Sequence, residues 1–155
     1  MLELLIIVAS IVSDRITKIW ASQTLRYLPG GRADLIPGIV EFRYVENRGA
    51  AFSMLSGQRW LFIVISLAVI AGLTYYLTKY RAEESIWTRI AIACIIGGAI
   101  GNLIDRFLHG YVVDMFNPTF IQFAVFNVAD IFITCGTILF VFALIIFPWF
   151  KNRKK

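Results

Sequence analysis

Three long runs of residues without a charged side chain dominate the pattern of this chain. They are Trp60 to Thr78, Ile90 to Ile104 and Ile131 to Phe150. An α-helix rises about 1.5 Å per residue, so the first and last runs are long enough to cross about 30 Å of hydrocarbon. The middle run reaches that length when it is extended from Trp87 to Arg106. The pattern predicts membrane spans at residues 60–78, 87–106 and 130–150.

The N-terminal run is largely apolar but, unlike the other three, contains charged residues. Leu4 to Ser13 carries no charge, whereas Glu3, Asp14, Arg15 and Lys18 fall within residues 2–20. A secretory signal peptide would need a basic start and a small-x-small cleavage site, and neither is present. We therefore predict a retained first span at residues 2–20, followed by a long outer segment at residues 22–59.

The sequence of the outer segment predicts turns, a strand and a short helix. Pro29-Gly30-Gly31 and Pro37-Gly38 are turn signals, and Ile39 to Val45 alternates in the manner of a strand. Gly49 to Leu55 is typical of a short amphipathic helix lying on a membrane surface. The predicted fold class is an all-α membrane protein with four transmembrane helices, a small extracytoplasmic β-cradle and a short surface helix. We expect residues 1–155 to form a single domain.

Composition agrees with a membrane protein. Hydrophobic residues make up 59% of the 155 residues, mean hydropathy is +0.74, and only 16% of residues are charged. A soluble domain of this size could not bury so much apolar surface, so the excess must face lipid. The net charge of +5 does not indicate nucleic acid, because the basic residues form no contiguous face.

The basic residues instead predict orientation. They crowd the short link between spans two and three and the end of the chain, at Lys79, Arg81, Arg89, Lys151, Arg153, Lys154 and Lys155. Loops rich in lysine and arginine stay in the cytoplasm, so both termini should be cytoplasmic. Five arginines in the outer segment oppose this assignment, but they are spread over a longer stretch.

Several polar groups stand where lipid would disfavour them. Each ionisable group at membrane depth costs about 2.5–3.5 kcal/mol and needs a partner, a watery cavity or a function. The topology brings all of them to the outer leaflet as one candidate site: Asp14, Lys18, Asn102, Asp105, Arg106, Asp114, Asn127 and Asp130. Three pairs within this set are three or four residues apart and share a helix face.

Structural roles compete with catalytic ones in this set. The charged groups that end spans one and three could form interfacial ion pairs, and Asn127 could cap a helix. Asp114 and Asp130 lie in apolar surroundings without a nearby cation in sequence. Two such carboxylates sharing one proton could carry out aspartic peptidase chemistry, but they could equally relay protons or bind a cation.

The sequence gives little indication of a reactive thiol, a metal site, a phosphate-binding loop or a serine nucleophile. Cys94 and Cys135 fall in apolar runs, where we expect them to pack inertly. No cluster has metal-ligand spacing, and no phosphate-binding loop or serine nucleophile motif is present, so we expect no metal and no cofactor. Gly97, Gly98 and Gly101 predict close helix packing on span three.

Five motifs stand in an order that resembles the lipoprotein signal peptidase family, signal peptidase II. They are Asp14-Arg-Ile-Thr-Lys18, Asn47-Arg-Gly-Ala-Ala-Phe52, Gly101-Asn-Leu-Ile-Asp-Arg106, Val112-Val-Asp114 and Phe126-Asn-Val-Ala-Asp130. The resemblance extends over nearly the whole chain. Met115, where phenylalanine is more usual, is a small departure.

The resemblance implies an intramembrane aspartic endopeptidase of the bacterial cytoplasmic membrane. Its substrates would be diacylglyceryl-modified prolipoproteins, cut before the lipidated cysteine on the extracytoplasmic side, and its other partners would be membrane lipids. Asp114 and Asp130 would be catalytic. Substrate-binding or orienting residues would be Asn47, Asn102, Arg106 and Asn127, and structural support would come from Asp14, Lys18, Asp105 and Gly49. The simplest expectation is a monomer.

Two other functions remain open from the residues alone. A small proton- or cation-coupled transporter would use the same aspartates, but it predicts sites near mid-membrane and usually an internal repeat, which this sequence lacks. An accessory subunit would use buried polar groups only for helix association.

Overall fold

Four long helices and one small sheet make up the protein. The computed structural model describes residues 1–50 and 54–152. The helices are α1 (Leu2–Gln23), α2 (Arg59–Tyr80), α3 (Ile86–Leu108) and α4 (Val128–Asn152), and the strands are β1 (Arg32–Ile36), β2 (Val40–Asn47) and β3 (Val112–Pro118). Each predicted span therefore corresponds to a helix that extends it by a few residues.

Three of these helices are long and apolar enough to cross a membrane. Among the described residues, this holds for Arg59–Tyr80, Ile86–Leu108 and Val128–Ile145 by length and composition. Helix α1 has 22 residues, the same length as α2, but it carries four charged side chains. The four predicted helices are present, and membrane crossing by α1 stays a prediction.

Helix α3 is the centre of the bundle, since it packs against α1, α2 and α4. The predicted close packing of its glycines is confirmed. A Cβ on Gly97 would lie 2.6 Å from the Ser10 Cβ on α1, and a Cβ on Gly98 would lie 2.4 Å from the Ala129 carbonyl oxygen on α4. These approaches leave no room for a side chain, so the small residues set the spacing of three helices.

The sheet is antiparallel with strand order β1-β2-β3. The sequence predicted β-structure only within residues 22–59, and this was incomplete because β3 follows α3 and completes the sheet. Buried Val113 and Met115 of β3 pack with Ala21 and Leu25 near the end of α1. The sheet is thereby fixed to the end of the bundle at which α1 and α3 end and α4 begins.

The predicted surface helix at Gly49 to Leu55 lies partly outside the described residues. Residues 51–53 are not described, residues 49–50 form a bend, and residues 54–57 form a turn. Leu55 has a positive φ of 54° within that turn, which is not a helical conformation. The described flanks of this segment are therefore not helical.

Candidate active site

Asp114 lies on β3 with both carboxylate oxygens engaged. It faces Val45 of β2 in the strand register and is 2% exposed. Asn47 Nδ2, at the end of β2, donates to Asp114 Oδ2 at 2.9 Å, and Asn127 Nδ2 donates to Asp114 Oδ1 at 2.6 Å. Amides from two separate segments therefore fix the orientation of this carboxylate.

Asp130 lies in the first turn of α4 and forms a reciprocal cap with Asn127. The Asp130 backbone N–H donates to Asn127 Oδ1 at 2.9 Å, and the Asn127 backbone N–H donates to Asp130 Oδ2 at 3.2 Å. Such a pair satisfies two backbone donors that a helix start would leave free. The capping role considered for Asn127 is confirmed, and the same residue contacts both aspartates.

Asn102 of α3 connects Asp130 to Lys18 of α1. Asn102 Nδ2 donates to Asp130 Oδ1 at 2.8 Å, while Asn102 Oδ1 accepts from Lys18 Nζ at 2.9 Å and from Asn127 Nδ2 at 3.1 Å. An ammonium group can only donate, so Lys18 requires the amide oxygen to face it. This fixes the amide so that its N–H groups point towards Asp130.

Lys18 also holds two fully buried carboxylates. Its Nζ lies 2.9 Å from Asp14 Oδ2 and 3.1 Å from Asp105 Oδ2. Asp14 Oδ1 accepts from the Ala129 backbone N–H of α4 at 3.0 Å, and Asp105 Oδ2 accepts from the Val113 backbone N–H of β3 at 3.1 Å. These groups join α1, α3, α4 and β3 directly behind the two aspartates.

Arg106 ties the segment after β2 to the end of α3. Its Nη2 donates to the Gly49 carbonyl at 3.1 Å, and its guanidinium lies 4.9 Å from the centre of the Phe62 ring. The Gly49 backbone N–H in turn donates to Asn47 Oδ1 at 2.9 Å. Gly49 and Arg106 therefore position the asparagine that contacts Asp114.

The structure adds two arginines that the sequence reading did not assign. Arg15 of α1 forms an ion pair with Asp105 of α3. Arg59 begins α2, and its Nε donates to the Arg106 carbonyl at 2.7 Å, at the C-terminal end of α3. A cation next to the last helical carbonyls is a common terminating contact, but no sequence spacing links these residues.

Both aspartates open onto one cavity of about 710 Å³. Polar side chains from β2, α3, β3 and α4 line one part of it, and apolar residues before and within α4 line much of the rest. The lining residues are Asn47, Ala50, Asn102, Arg106, Val112, Asp114, Phe123, Ala124, Val125, Phe126, Asp130, Ile131, Thr134 and Cys135. The site therefore combines two carboxylates with a large apolar wall.

The surroundings of Asp114 favour its protonated form. Burial, followed by the negative charge of Asp130, raises the pKa of Asp114 to about 7. The hydrogen bonds from Asn47 and Asn127 act in the opposite direction because they stabilise the carboxylate. Near neutral pH this carboxyl can therefore either hold or release a proton.

Two further expectations concern the cysteines and a metal site. Cys135 is exposed and lines the cavity, so the predicted packing is wrong for Cys135, whereas the inertness of its thiol stays a prediction. Within residues 1–50 and 54–152, no group of three or more His, Cys, Asp and Glu side chains is arranged to hold a metal ion.

Comparison with known proteins identifies the family. The family described as signal peptidase (SPase) II matches residues 6–146. The lipoprotein signal peptidases of Streptococcus pyogenes serotype M5 (strain Manfredo) and serotype M18 (strain MGAS8232) are each 43% identical over 143 residues, covering 92% of this chain and 90% of theirs.

Two solved structures of bacterial membrane enzymes, both obtained by the in meso method, share the fold. The one at 2.3 Å resolution has a TM-score of 0.83 and 33% identity, and covers 92% of this chain and 86% of its own. The one at 1.9 Å resolution has a TM-score of 0.81 and 32% identity, and covers 93% and 92%. The chain that carries this pair of aspartates belongs to the signal peptidase II family.

Proposed function

We propose that this signal peptidase removes signal peptides from prolipoproteins by an aspartic mechanism, with Asp114 and Asp130 as the catalytic pair. The observation that carries the proposal is that Asn127 contacts both carboxylates at the wall of one cavity. Two carboxylates in one apolar setting can share a single proton, because repulsion and desolvation disfavour the doubly charged pair.

The reaction needs one carboxylate to accept a proton and the other to give one. The ionised member takes a proton from water, whose oxygen attacks the carbon of the scissile peptide carbonyl. The protonated member donates to the carbonyl oxygen, which forms a tetrahedral intermediate without a covalent enzyme adduct. As the C–N bond breaks, the carboxyl that took the proton from water gives it to the leaving nitrogen. The other carboxylate takes a proton from a hydroxyl of the intermediate, which becomes the new carboxyl group, so the pair again holds a single proton.

The neighbouring amides have positioning roles in this scheme. Asn47 and Asn127 hold Asp114, and Asn102 holds Asp130. Arg106 lines the cavity and is half-buried, so its free N–H groups can donate to substrate carbonyls. Asp14, Lys18, Asp105 and Gly49 support the site from behind.

The proposed substrate is a prolipoprotein that carries a diacylglyceryl group on the cysteine after the cut bond. Its signal helix and acyl chains would lie in the membrane, and the cut bond would lie near the outer surface. The polar part of the cavity lies at the corresponding level, at the C-terminal end of α3 and the N-terminal end of α4. A mid-membrane site, as in the rival transporter hypothesis, would draw its polar groups from the helix centres instead.

The proposed location is the bacterial cytoplasmic membrane, with both termini in the cytoplasm and the site on the extracytoplasmic side. Arg81 lies in the link between α2 and α3, and Lys79 and Arg89 lie in the adjoining helix ends, all at the bundle end opposite the cavity. Arg81 and Arg89 both pair with Glu3 near the start of α1, which puts the N-terminus at the same basic end. Basic loops of this kind stay in the cytoplasm.

The decisive experiment follows cleavage of a diacylglyceryl-modified prolipoprotein by gel shift, with the purified enzyme in lipid. We expect wild type to cleave and Asp114→Asn and Asp130→Asn each to abolish cleavage, because an amide can neither accept nor supply the proton. Asp34→Asn is the matched control, since Asp34 is an exposed aspartate on β1 that does not line the cavity. Substantial turnover by either site variant would exclude the aspartic mechanism.

A further inference from the structure

One face of α4 continues from the cavity along the helix. Ile131, Thr134 and Cys135 line the cavity, and the following residues on the same side are three or four positions apart. We call this face the α4 stripe, which consists of Ile131, Cys135, Ile138, Phe142 and Ile145. All of these side chains are exposed, with Ile138 and Ile145 at 64% and Phe142 at 55%.

The side of α4 roughly opposite the stripe is occupied by protein. Ala129 and Ala143 are buried, and a Cβ on Gly136 would lie 2.8 Å from the Ala91 carbonyl oxygen of α3. Helix α3 therefore packs closely along a side of α4 that faces away from the stripe. Within the described residues, the stripe is left for an occupant from the membrane.

The dimensions of the α4 stripe suit a second helix. Ile131 and Ile145 are fourteen residues apart, which corresponds to about 21 Å along a helix, or most of the hydrocarbon thickness. No charged side chain lies on this face, and its outer end is next to the Asp130 carboxylate. An apolar helix lying along it would therefore deliver its outer end to the two aspartates.

We propose that the α4 stripe is the docking surface for the apolar helix of the signal peptide, an inference that rests on the proposed function. The stripe is continuous with the cavity, so one substrate can occupy both without a break. Its length then sets the register of the substrate: Phe142 is twelve residues beyond Asp130, or about 18 Å. Phe142 contacts the signal peptide about twelve residues before the cut bond.

A photo-crosslinking experiment tests this contact. Benzoylphenylalanine replaces Phe142 in one enzyme and Leu144 in a matched control, and each is irradiated with a synthetic diacylglyceryl-modified prolipoprotein peptide in lipid vesicles. Leu144 is 48% exposed, but two residues along a helix turn it about 200° away from Phe142. We expect a peptide adduct at position 142 at least tenfold above that at 144, mapped by mass spectrometry to the predicted part of the signal peptide.

A second variant and a parallel assay keep the outcomes distinct. Benzoylphenylalanine at Ile138 should form the adduct about four residues closer to the cut bond. Equal adducts at positions 142 and 144, or none at 142 and 138, would overturn the docking proposal. Wild-type cleavage of the same peptide is measured alongside, because its absence would refute the proposed function, whereas cleavage without adducts would refute only the docking surface.

Discussion

Replacing Lys18 with methionine tests whether the buried charges behind the aspartates stabilise the protein. Lys18 is 1% exposed and pairs with Asp14 and Asp105, which are both fully buried. Asp105 would keep Arg15 and the Val113 backbone N–H, whereas Asp14 would keep only the Ala129 backbone N–H. Removing one partner of a buried pair costs about 3–5 kcal/mol, because the remaining charge is uncompensated.

Thermal unfolding of the purified protein in detergent measures this loss. Domains of this size lose about 2–4 °C in Tm per kcal/mol, so Lys18→Met should melt about 6–20 °C below wild type. Lys79→Met is the control, because Lys79 is exposed and, among the described residues, its ammonium contacts only the side chains of Tyr75 and Tyr80. Its Tm should not change.

A double variant separates the charge effect from lost packing. Asp14→Asn removes the charge that Lys18→Met leaves unpaired, so the double variant should melt at a higher temperature than Lys18→Met alone. Lys18→Met should also slow cleavage, since Asn102 loses the contact that orients its amide towards Asp130. If the Tm of Lys18→Met equals that of wild type, the buried pairs of Lys18 do not stabilise the protein as predicted.

The remaining predictions concern proton sharing and helix spacing. The raised pKa of Asp114 predicts that kcat/KM falls as the pH rises through about 7, because the pair then loses its shared proton; a profile that stays flat above that pH would contradict this. Asn47→Ala should move this fall to higher pH, because its hydrogen bond stabilises the charged carboxylate. Gly98→Ala should lower Tm and activity together, since its Cβ would lie 2.4 Å from the Ala129 carbonyl oxygen. Gly72→Ala is the control for that measurement and should lower neither, because no described atom lies within 4 Å of its Cβ and alanine is the better helix former.

The helices could be predicted because a single long apolar run is stable in lipid only as a helix. A backbone in hydrocarbon must satisfy its own hydrogen bonds, so a run such as Trp60 to Thr78 becomes a helix, observed as Arg59–Tyr80. The third strand could not be found in the same way. Residues 112–115 of β3 are buried on both faces, so the alternation that marks a half-exposed strand is missing.

The members of the candidate site could be predicted, but their contacts could not. Topology alone brings the C-terminal ends of α1 and α3 and the start of α4 to one end of the bundle. The link from Asn47 to Asp114 depends on the register of β2 and β3, which shifts between Phe42 and Val45. The pair formed by Arg15 and Asp105 joins residues ninety positions apart, and no local pattern encodes it.

The balance of charge around the site explains why its chemistry requires a proton. Four carboxylates meet three cations in this cluster, whose members are Asp14, Asp105, Asp114, Asp130, Arg15, Lys18 and Arg106. Lys18 and Arg15 pair directly with Asp14 and Asp105, so the two cavity aspartates receive only the longer-range influence of Arg106 and, for Asp114, of Lys18. One uncompensated negative charge in a dry site is costly, and uptake of one proton removes it. The same supporting ion pairs that hold the helices together therefore leave the proposed catalytic pair, Asp114 and Asp130, as the place where that proton binds.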